Sequence, residues 1–373
     1  MKIIVFGGAG DMGSRAVEDL ALSEGVEKVT IADRAVLTAR RIADKLAGRG
    51  ALVDVREVDA RDHEALVSAM RGHDVAASAL GPFYEYEPRL VRAAVDAGVP
   101  YASVCDDWSA AVRVLDDYDQ PAREKGCIIL TGLGTSPGIT NMSVSYLARD
   151  MSVVRRADVF VYAPLNGGGE AVIRHVLYTM SGKVAGFTAG RTEMLRACSR
   201  SLRVPFPRFG LVRVWNMGHT EPVTLHRFLP DLEEVRFFMG YGRGARLFVW
   251  PCRAGIFTHA RMLDIVSRIL GKIERFLPGQ GSAEGAVRVD VYGEKDGREV
   301  HEMLCGAGRM REATGISLSI GALMLGRSEV CVDSGGVYAP EGCLDPGLFL
   351  DRLRGKGILA YRDIEMTRVV REP

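Results

Sequence analysis

The residues best suited to chemistry sit at the start of the chain. Gly8-Ala9-Gly10-Asp11-Met12-Gly13 has the G-x-G-x-x-G spacing of a dinucleotide-binding turn. In that spacing Gly8 permits a tight turn, Gly10 lets backbone approach a pyrophosphate, and Gly13 lets the following helix lie close on its strand. The free N–H groups and partial positive charge at the helix start then face the phosphates. Asp33 follows Gly13 by twenty positions, where a carboxylate meets the ribose hydroxyls of NAD. Adjacent Arg34, with Arg40 and Arg41 beyond it, instead suits a 2′-phosphate. The cofactor expected is therefore NAD, with NADP left open.

Further candidates lie where strands should end. Asp59 is placed to contact the adenine or its ribose, and Leu80-Gly81-Pro82 forms a turn whose glycine permits close backbone approach to the cofactor. Asp106 and Asp107 are adjacent carboxylates that could share a proton and supply a raised pKa, which suits a general base near neutrality. The competing reading of Asp107 is a helix cap. Asp106 is the first candidate for acid/base work, and His175 and His226 are its rivals, since a neutral imidazole accepts a proton near pH 7. Asp107, Arg174 and Arg227 are the expected substrate-binding residues; arginine grips a carboxylate bidentately. No cluster of metal-ligating residues is expected.

These residues need a scaffold, and the hydrophobic pattern supplies one. Lys2 to Phe6 reads as a buried strand, and Met12, Ala16, Val17, Leu20 and Ala21 form one face of a helix. Strands at Val26 to Ala32, Leu52 to Val58, Asp74 to Leu80, Tyr101 to Cys105 and Cys127 to Leu130 alternate with helices. That alternation predicts an α/β fold with a Rossmann-type doubly wound parallel sheet. From about Met151 the pattern changes. Val287, Val289 and Val291 alternate with polar residues before Lys295-Asp296-Gly297, which predicts a hairpin and an inserted α+β domain. A long helix is expected to bury Met262, Leu263, Val266, Ile269, Leu270, Ile273 and Leu277. The expected division is 1–136 plus 308–373 for dinucleotide binding and 137–307 for substrate and dimerisation.

Composition removes several classes. The 48 basic and 47 acidic side chains of this 373-residue chain leave a charge of +1, which gives no electrostatic case for nucleic acid. The apolar runs are strand-sized, too short to span a bilayer, and no membrane partner is expected. Met1 leads directly into a strand, against a secretory signal. Seven cysteines without a C-x-x-C pair read as reduced cytoplasmic thiols, not as a zinc site.

Several runs together resemble the saccharopine dehydrogenase-like family. They are the glycine turn, Leu80-Gly81-Pro82-Phe83, Ala94-Val95-Asp96-Ala97-Gly98-Val99-Pro100-Tyr101, and Gly132-Leu133-Gly134-Thr135-Ser136-Pro137-Gly138-Ile139-Thr140-Asn141. Near the other end, Ala313-Thr314-Gly315, Gly336-Val337-Tyr338-Ala339-Pro340-Glu341-Gly342 and Arg354-Gly355-Lys356-Gly357-Ile358 also fit. The resemblance implies an NAD(P)-dependent dehydrogenase or reductase acting at an amine or imine carbon of an amino-acid-derived substrate. It also implies an inserted substrate domain; a homodimer is the expected assembly. A non-catalytic NAD(P) sensor, and a reductase acting on a C–O or C–C substrate, remain as alternatives.

Overall fold

Short β-branched segments alternating with amphipathic helices pack well in one way, as a parallel sheet with helices on both faces. The structure, a computed structural model, describes residues 1–164, 169–242, 246–258, 260–274 and 284–370. Its first elements are β1 (Lys2–Phe6), α1 (Asp11–Ala21), β2 (Lys28–Ala32), α2 (Val36–Leu46), β3 (Leu52–Arg56) and α3 (His63–Met70). Then come β4 (Val75–Ser78), α4 (Phe83–Ala97), β5 (Tyr101–Ser103), α5 (Trp108–Glu124), β6 (Ile128–Thr131) and α6 (Ile139–Ala148). The middle of the chain holds β7 (Val153–Tyr162), α7 (Gly169–Thr179), β8 (Lys183–Thr188), β9 (Arg191–Arg196), β10 (Ser201–Phe206) and β11 (Gly210–Asn216). It continues with α8 (Glu221–Phe228), β12 (Glu234–Gly240), α9 (Arg246–Arg253), α10 (Ala260–Glu274), β13 (Glu284–Lys295) and β14 (Arg298–Arg309). Last are α11 (Met310–Gly326), β15 (Gly336–Tyr338) and α12 (Pro346–Gly355).

The chain divides into two units, Met1–Met142 with Arg311–Gly357, and Ser143–Met310 with Ile358–Pro373. In the first, seven strands pair in parallel in the order β15-β6-β5-β4-β1-β2-β3. Central β1 is apolar without alternation because both its faces are covered, and Ile3, Ile4 and Val5 are fully buried. Edge strand β3 keeps an alternating, half-exposed pattern. The helix ends follow their signals. Gly98 ends α4 in the left-handed region at φ 67°, and Asp107 and Asp345 cap α5 and α12 through their side chains.

The second unit is an eight-stranded mixed sheet, in which β12 and β7 run parallel and the other neighbours antiparallel. The expected hairpin is β13–β14, paired from Glu284–Arg309 to Lys295–Arg298. Asp296 and Gly297 turn it with positive φ at both positions, the primed geometry that matches strand twist. On one face Phe160, Phe206, Val214 and Phe238 pack into a core. The tail from Ile358 lies in this unit and not, as 308–373 would have it, in the first. Its Tyr361 exchanges backbone hydrogen bonds with Cys305, 2.8 Å each way, and that pairing holds it there.

Candidate active site

The glycine turn joins β1 to α1 at the carboxyl edge of the parallel sheet. Gly7, not Gly8, makes the tight turn, with φ at +70°; a Cβ there would meet Ala79 and Leu80 backbone at 3.0 Å. Gly8 is closely packed instead, since its Cβ would lie 3.0 Å from the Val5 carbonyl. A Cβ on Gly13 would fall 2.2 Å from the Gly7 carbonyl oxygen, so only glycine lets α1 start against its own strand. Gly10 precedes α1, and no side chain caps the helix. The N–H groups opening α1, at Asp11, Met12 and Gly13, thus form a cradle for an anion, and a bound pyrophosphate would fit it.

Asp33 closes the cradle from β2. Its Oδ2 accepts from the Ala9 N–H at 3.1 Å and its Oδ1 from the Ala35 N–H at 2.9 Å. Arg34 is exposed beside it. Asp59 accepts from Arg61 Nε at 3.0 Å and Nη2 at 2.5 Å, and that guanidinium, with a smaller contribution from Arg34, holds its carboxyl well below the usual range. Asp59 is thus committed to Arg61, with Arg34 close enough to add to that pull.

The neighbouring strand ends complete the crevice. Leu80 donates its N–H to Ser78 Oγ at 3.2 Å, and both X–Pro bonds here, Gly81–Pro82 and Ser136–Pro137, are cis. Asp106 is half-buried just beyond β5. Asp107 is the N-cap of α5, its Oδ1 accepting from Ser109 N and Ala110 N at 2.9 Å each and from Ser109 Oγ at 2.6 Å. Its Oδ2 is buried with no hydrogen-bond partner among the described residues, so the capping role occupies half of this carboxylate. The Cys105 thiol behind them is pushed far up, by burial first and then by the charges of Glu87, Asp107 and Asp106, which leaves it protonated.

Beneath these loops lies a carboxylate that nothing in the sequence singled out. Glu87 of α4 is fully buried and accepts from Tyr101 Oη at 2.9 Å, Ser103 Oγ at 2.5 Å and Thr131 Oγ1 at 3.0 Å. Burial raises its pKa against the opposing pull of the three hydroxyls. One side chain thereby ties the ends of β5 and β6 to the start of α4. Arg311 was equally invisible in the sequence. It pairs with Asp11 at 2.9 Å and donates to the Asp11 carbonyl at 3.0 Å and Ser14 Oγ at 2.9 Å, at the opening of α1.

The remaining candidates lie in the second unit. Arg174 of α7 pairs with Asp264 at 3.1 Å, and His175 beside it is half-buried. His226 stacks on Phe187, ring centroids 4.1 Å apart, with Nδ1 3.1 Å from the Pro222 carbonyl; burial lowers its pKa and keeps it neutral. Arg227 is exposed in the last turn of α8. A residue missed by the sequence is His219. It is buried, stacked on Phe237 at 4.0 Å, and its Nδ1 is hydrogen-bonded to the buried Glu221 carboxylate. Its Nε2 has no partner among the described residues, so the ring is oriented with one nitrogen to spare. The H-x-E spacing is local but too common to have marked the pair. No group of residues suited to a metal ion occurs among the described residues.

A doubly wound sheet with an uncapped helix start over a glycine turn defines a dinucleotide-binding domain. Residues 3–129 match the saccharopine dehydrogenase NADP-binding domain, and the first unit carries a domain of that kind, with NAD(P) as its cofactor. Carboxynorspermidine synthase of Vibrio cholerae is 24% identical over 260 residues, 63% of this chain and 62% of that protein. The enzyme of the same name from Vibrio alginolyticus is 23% identical over the same shares. The matches thus span somewhat less than two thirds of these relatives. Saccharopine dehydrogenase (L-Glu forming) of Saccharomyces cerevisiae shares the fold, with a TM-score of 0.66 at 13% identity, covering 96% of this chain and 98% of that one.

Proposed function

We propose that this protein is an NAD(P)-dependent oxidoreductase that moves hydride to or from the C–N carbon of an amino-acid-derived substrate. The observation that carries the reading is the α1 cradle: Gly7, Gly8 and Gly13 packed too closely for a Cβ, uncapped N–H groups and Asp33 on the adjacent strand, in a domain similar to the saccharopine dehydrogenase NADP-binding domain. Similarity to carboxynorspermidine synthase and the fold shared with a saccharopine dehydrogenase support the substrate class.

The nicotinamide cofactor would supply or accept the hydride. The chain's own part is to bind, orient and move a proton. The α1 N–H groups and Arg311 are suited to the pyrophosphate, Asp33 to ribose hydroxyls, and Arg34 with Arg61 to a 2′-phosphate. An amine must be neutral when hydride leaves its carbon, so a proton acceptor is required. Asp106 is the first assignment, with His219, His175 and His226 as the imidazole candidates of the second unit; Arg174 and Arg227 are the cations assigned to substrate carboxylate. A homodimer in the cytoplasm completes the proposal, supported for the compartment by seven unpaired thiols, six of them buried.

The test is NADH or NADPH formation scanned across lysine, saccharopine, other opines and polyamine precursors, with sedimentation to read the assembly. Turnover of none, with cofactor binding confirmed by calorimetry, overturns the reading in favour of a sensor.

A further inference from the structure

The helix expected to bury one apolar stripe carries two. Leu263 and Ser267 of α10 face inward and are buried, and the helix packs on α7. Met262, Ile265 and Ile269 point to solvent, Ile269 being 52% exposed. Ile273 and Leu277 of the expected stripe lie outside the residues whose side chains are described. Trp250 of α9 is 73% exposed, and Ile256 is exposed in the short turn Ile256–Thr258, which packs against both α9 and α10. Of the large apolar side chains exposed among the described residues, these five fall within one stretch of twenty positions, 250–269. Isolated exposed apolar residues are ordinary; Met262, Ile265 and Ile269, at i, i+3 and i+7 of one helix, are contiguous and form a contact surface.

Charge selects the occupant. At about 100° per residue, Arg261, Arg268 and Lys272 form a stripe immediately alongside Ile265, Ile269 and Met262. All three basic residues are exposed. From Arg253 to Lys272 there are four Lys or Arg residues against one acid, Asp264, and that acid is turned to Arg174. An apolar stripe with a cationic flank, preceded in the chain by an exposed tryptophan, is the pattern of a helix lying in the headgroup boundary of a lipid surface. An antiparallel contact between two copies would set basic stripe beside basic stripe. No helix among the described residues is long and apolar enough to cross a membrane, and a helix lying flat does not need to be.

We propose that the α9–α10 face docks on an anionic lipid surface. Trp250, Ile256, Met262, Ile265 and Ile269 enter the headgroup boundary, and Arg261, Arg268 and Lys272 meet lipid phosphates. This does not rest on the oxidoreductase assignment.

The test is co-sedimentation of the full chain with sucrose-loaded vesicles of phosphatidylcholine, alone or with about a third phosphatidylglycerol. The expected result is binding to the anionic vesicles that falls at least about tenfold on neutral ones and at about 0.5 M salt. The double substitution Ile265→Glu with Ile269→Glu should abolish it with an unchanged thermal melt, because both positions are exposed. Arg261→Glu with Lys272→Glu should remove the preference for anionic lipid. Absence of vesicle binding, or binding indifferent to both double variants, overturns the proposal. A concentration-dependent dimer in sedimentation velocity that Ile265→Glu with Ile269→Glu dissociates, without vesicle binding, assigns the face to a second copy. Retention of an acidic protein, without vesicle binding, assigns it to a protein partner.

Discussion

The carboxylate of Asp33 is hydrogen-bonded to the backbone N–H of Ala9, so the acid at the end of β2 is part of the glycine turn at the end of β1. Both its oxygens are held by backbone, at Ala9 and Ala35, and its position toward a ribose is fixed before any ligand arrives. Asp33→Ser should therefore weaken NADH binding by about tenfold or more, while NADPH, whose extra phosphate the acid repels, is weakened less. Arg34→Ala with Arg61→Ala should do the reverse. Calorimetric titration of both cofactors reads the ratio, and a ratio unmoved by either variant removes these residues from cofactor choice.

Gly10 and Gly13 should fail for different reasons when changed to alanine. At Gly13 the new Cβ would sit 2.2 Å from the Gly7 oxygen, so overpacking of about 1–3 kcal/mol should appear as a lower melting temperature. At Gly10 the nearest atom, the Gly7 carbonyl oxygen, is 3.2 Å away, a tight contact that a small shift relieves, so the fold should survive while the methyl intrudes on the anion cradle. Gly10→Ala is expected to lose less melting temperature than Gly13→Ala yet to lose cofactor affinity by about tenfold or more. A Gly10→Ala protein that binds normally would move the pyrophosphate elsewhere.

Glu87 predicts a pH dependence of stability. Its folded pKa is raised above the ordinary 4.5, so its contribution is fully present below the unfolded value and lost as pH rises through the folded one. Glu87→Gln removes that loss. The melting temperature of the variant minus that of wild type should rise from pH 4 towards neutrality, and a difference that falls instead would be inconsistent with a raised pKa.

Arg311 meets Asp11 and Ser14 at the opening of α1. Arg311→Gln should reduce affinity for both cofactors equally, without changing their ratio, because the pyrophosphate is common to them. Tight binding retained at low and high salt would show that Arg311 only ties α11 to α1.

Asp106→Asn should cut turnover by about 10²–10⁴ while leaving cofactor affinity unchanged. His219→Gln addresses the second unit, where nitrogen NMR should find a proton on Nδ1, directed at Glu221. If Asp106→Asn turns over normally and His219→Gln does not, the proton acceptor is the imidazole.

Much of the first unit was legible because its signals are local. An apolar strand, a glycine turn and an amphipathic helix repeat within some thirty residues, and caps such as Asp107 act three positions away. The Asp296-Gly297 hairpin was readable for the same reason. What escaped depends on residues brought together by topology. Glu87 looks like a surface acid beside Pro88 until Ser103 and Thr131 arrive from two other strands. Arg311 meets Asp11 across three hundred positions, and Met262 and Ile269 fit a buried stripe until α7 is seen to cover the other side of α10. Periodicity reports that a face is apolar, not what lies against it.

The division of the chain has a consequence for its synthesis. The first unit takes its edge strand β15 from Gly336–Tyr338, after the whole of β7 to β14 has been made. Until then β6 emerges from the ribosome as an open parallel edge, with unpaired N–H and C=O groups along it. At ordinary elongation rates of about 5–20 residues per second, that edge stays bare for about ten seconds or longer. A nascent chain stalled within the second unit should therefore be the form most prone to strand-edge association and the one most dependent on chaperone cover.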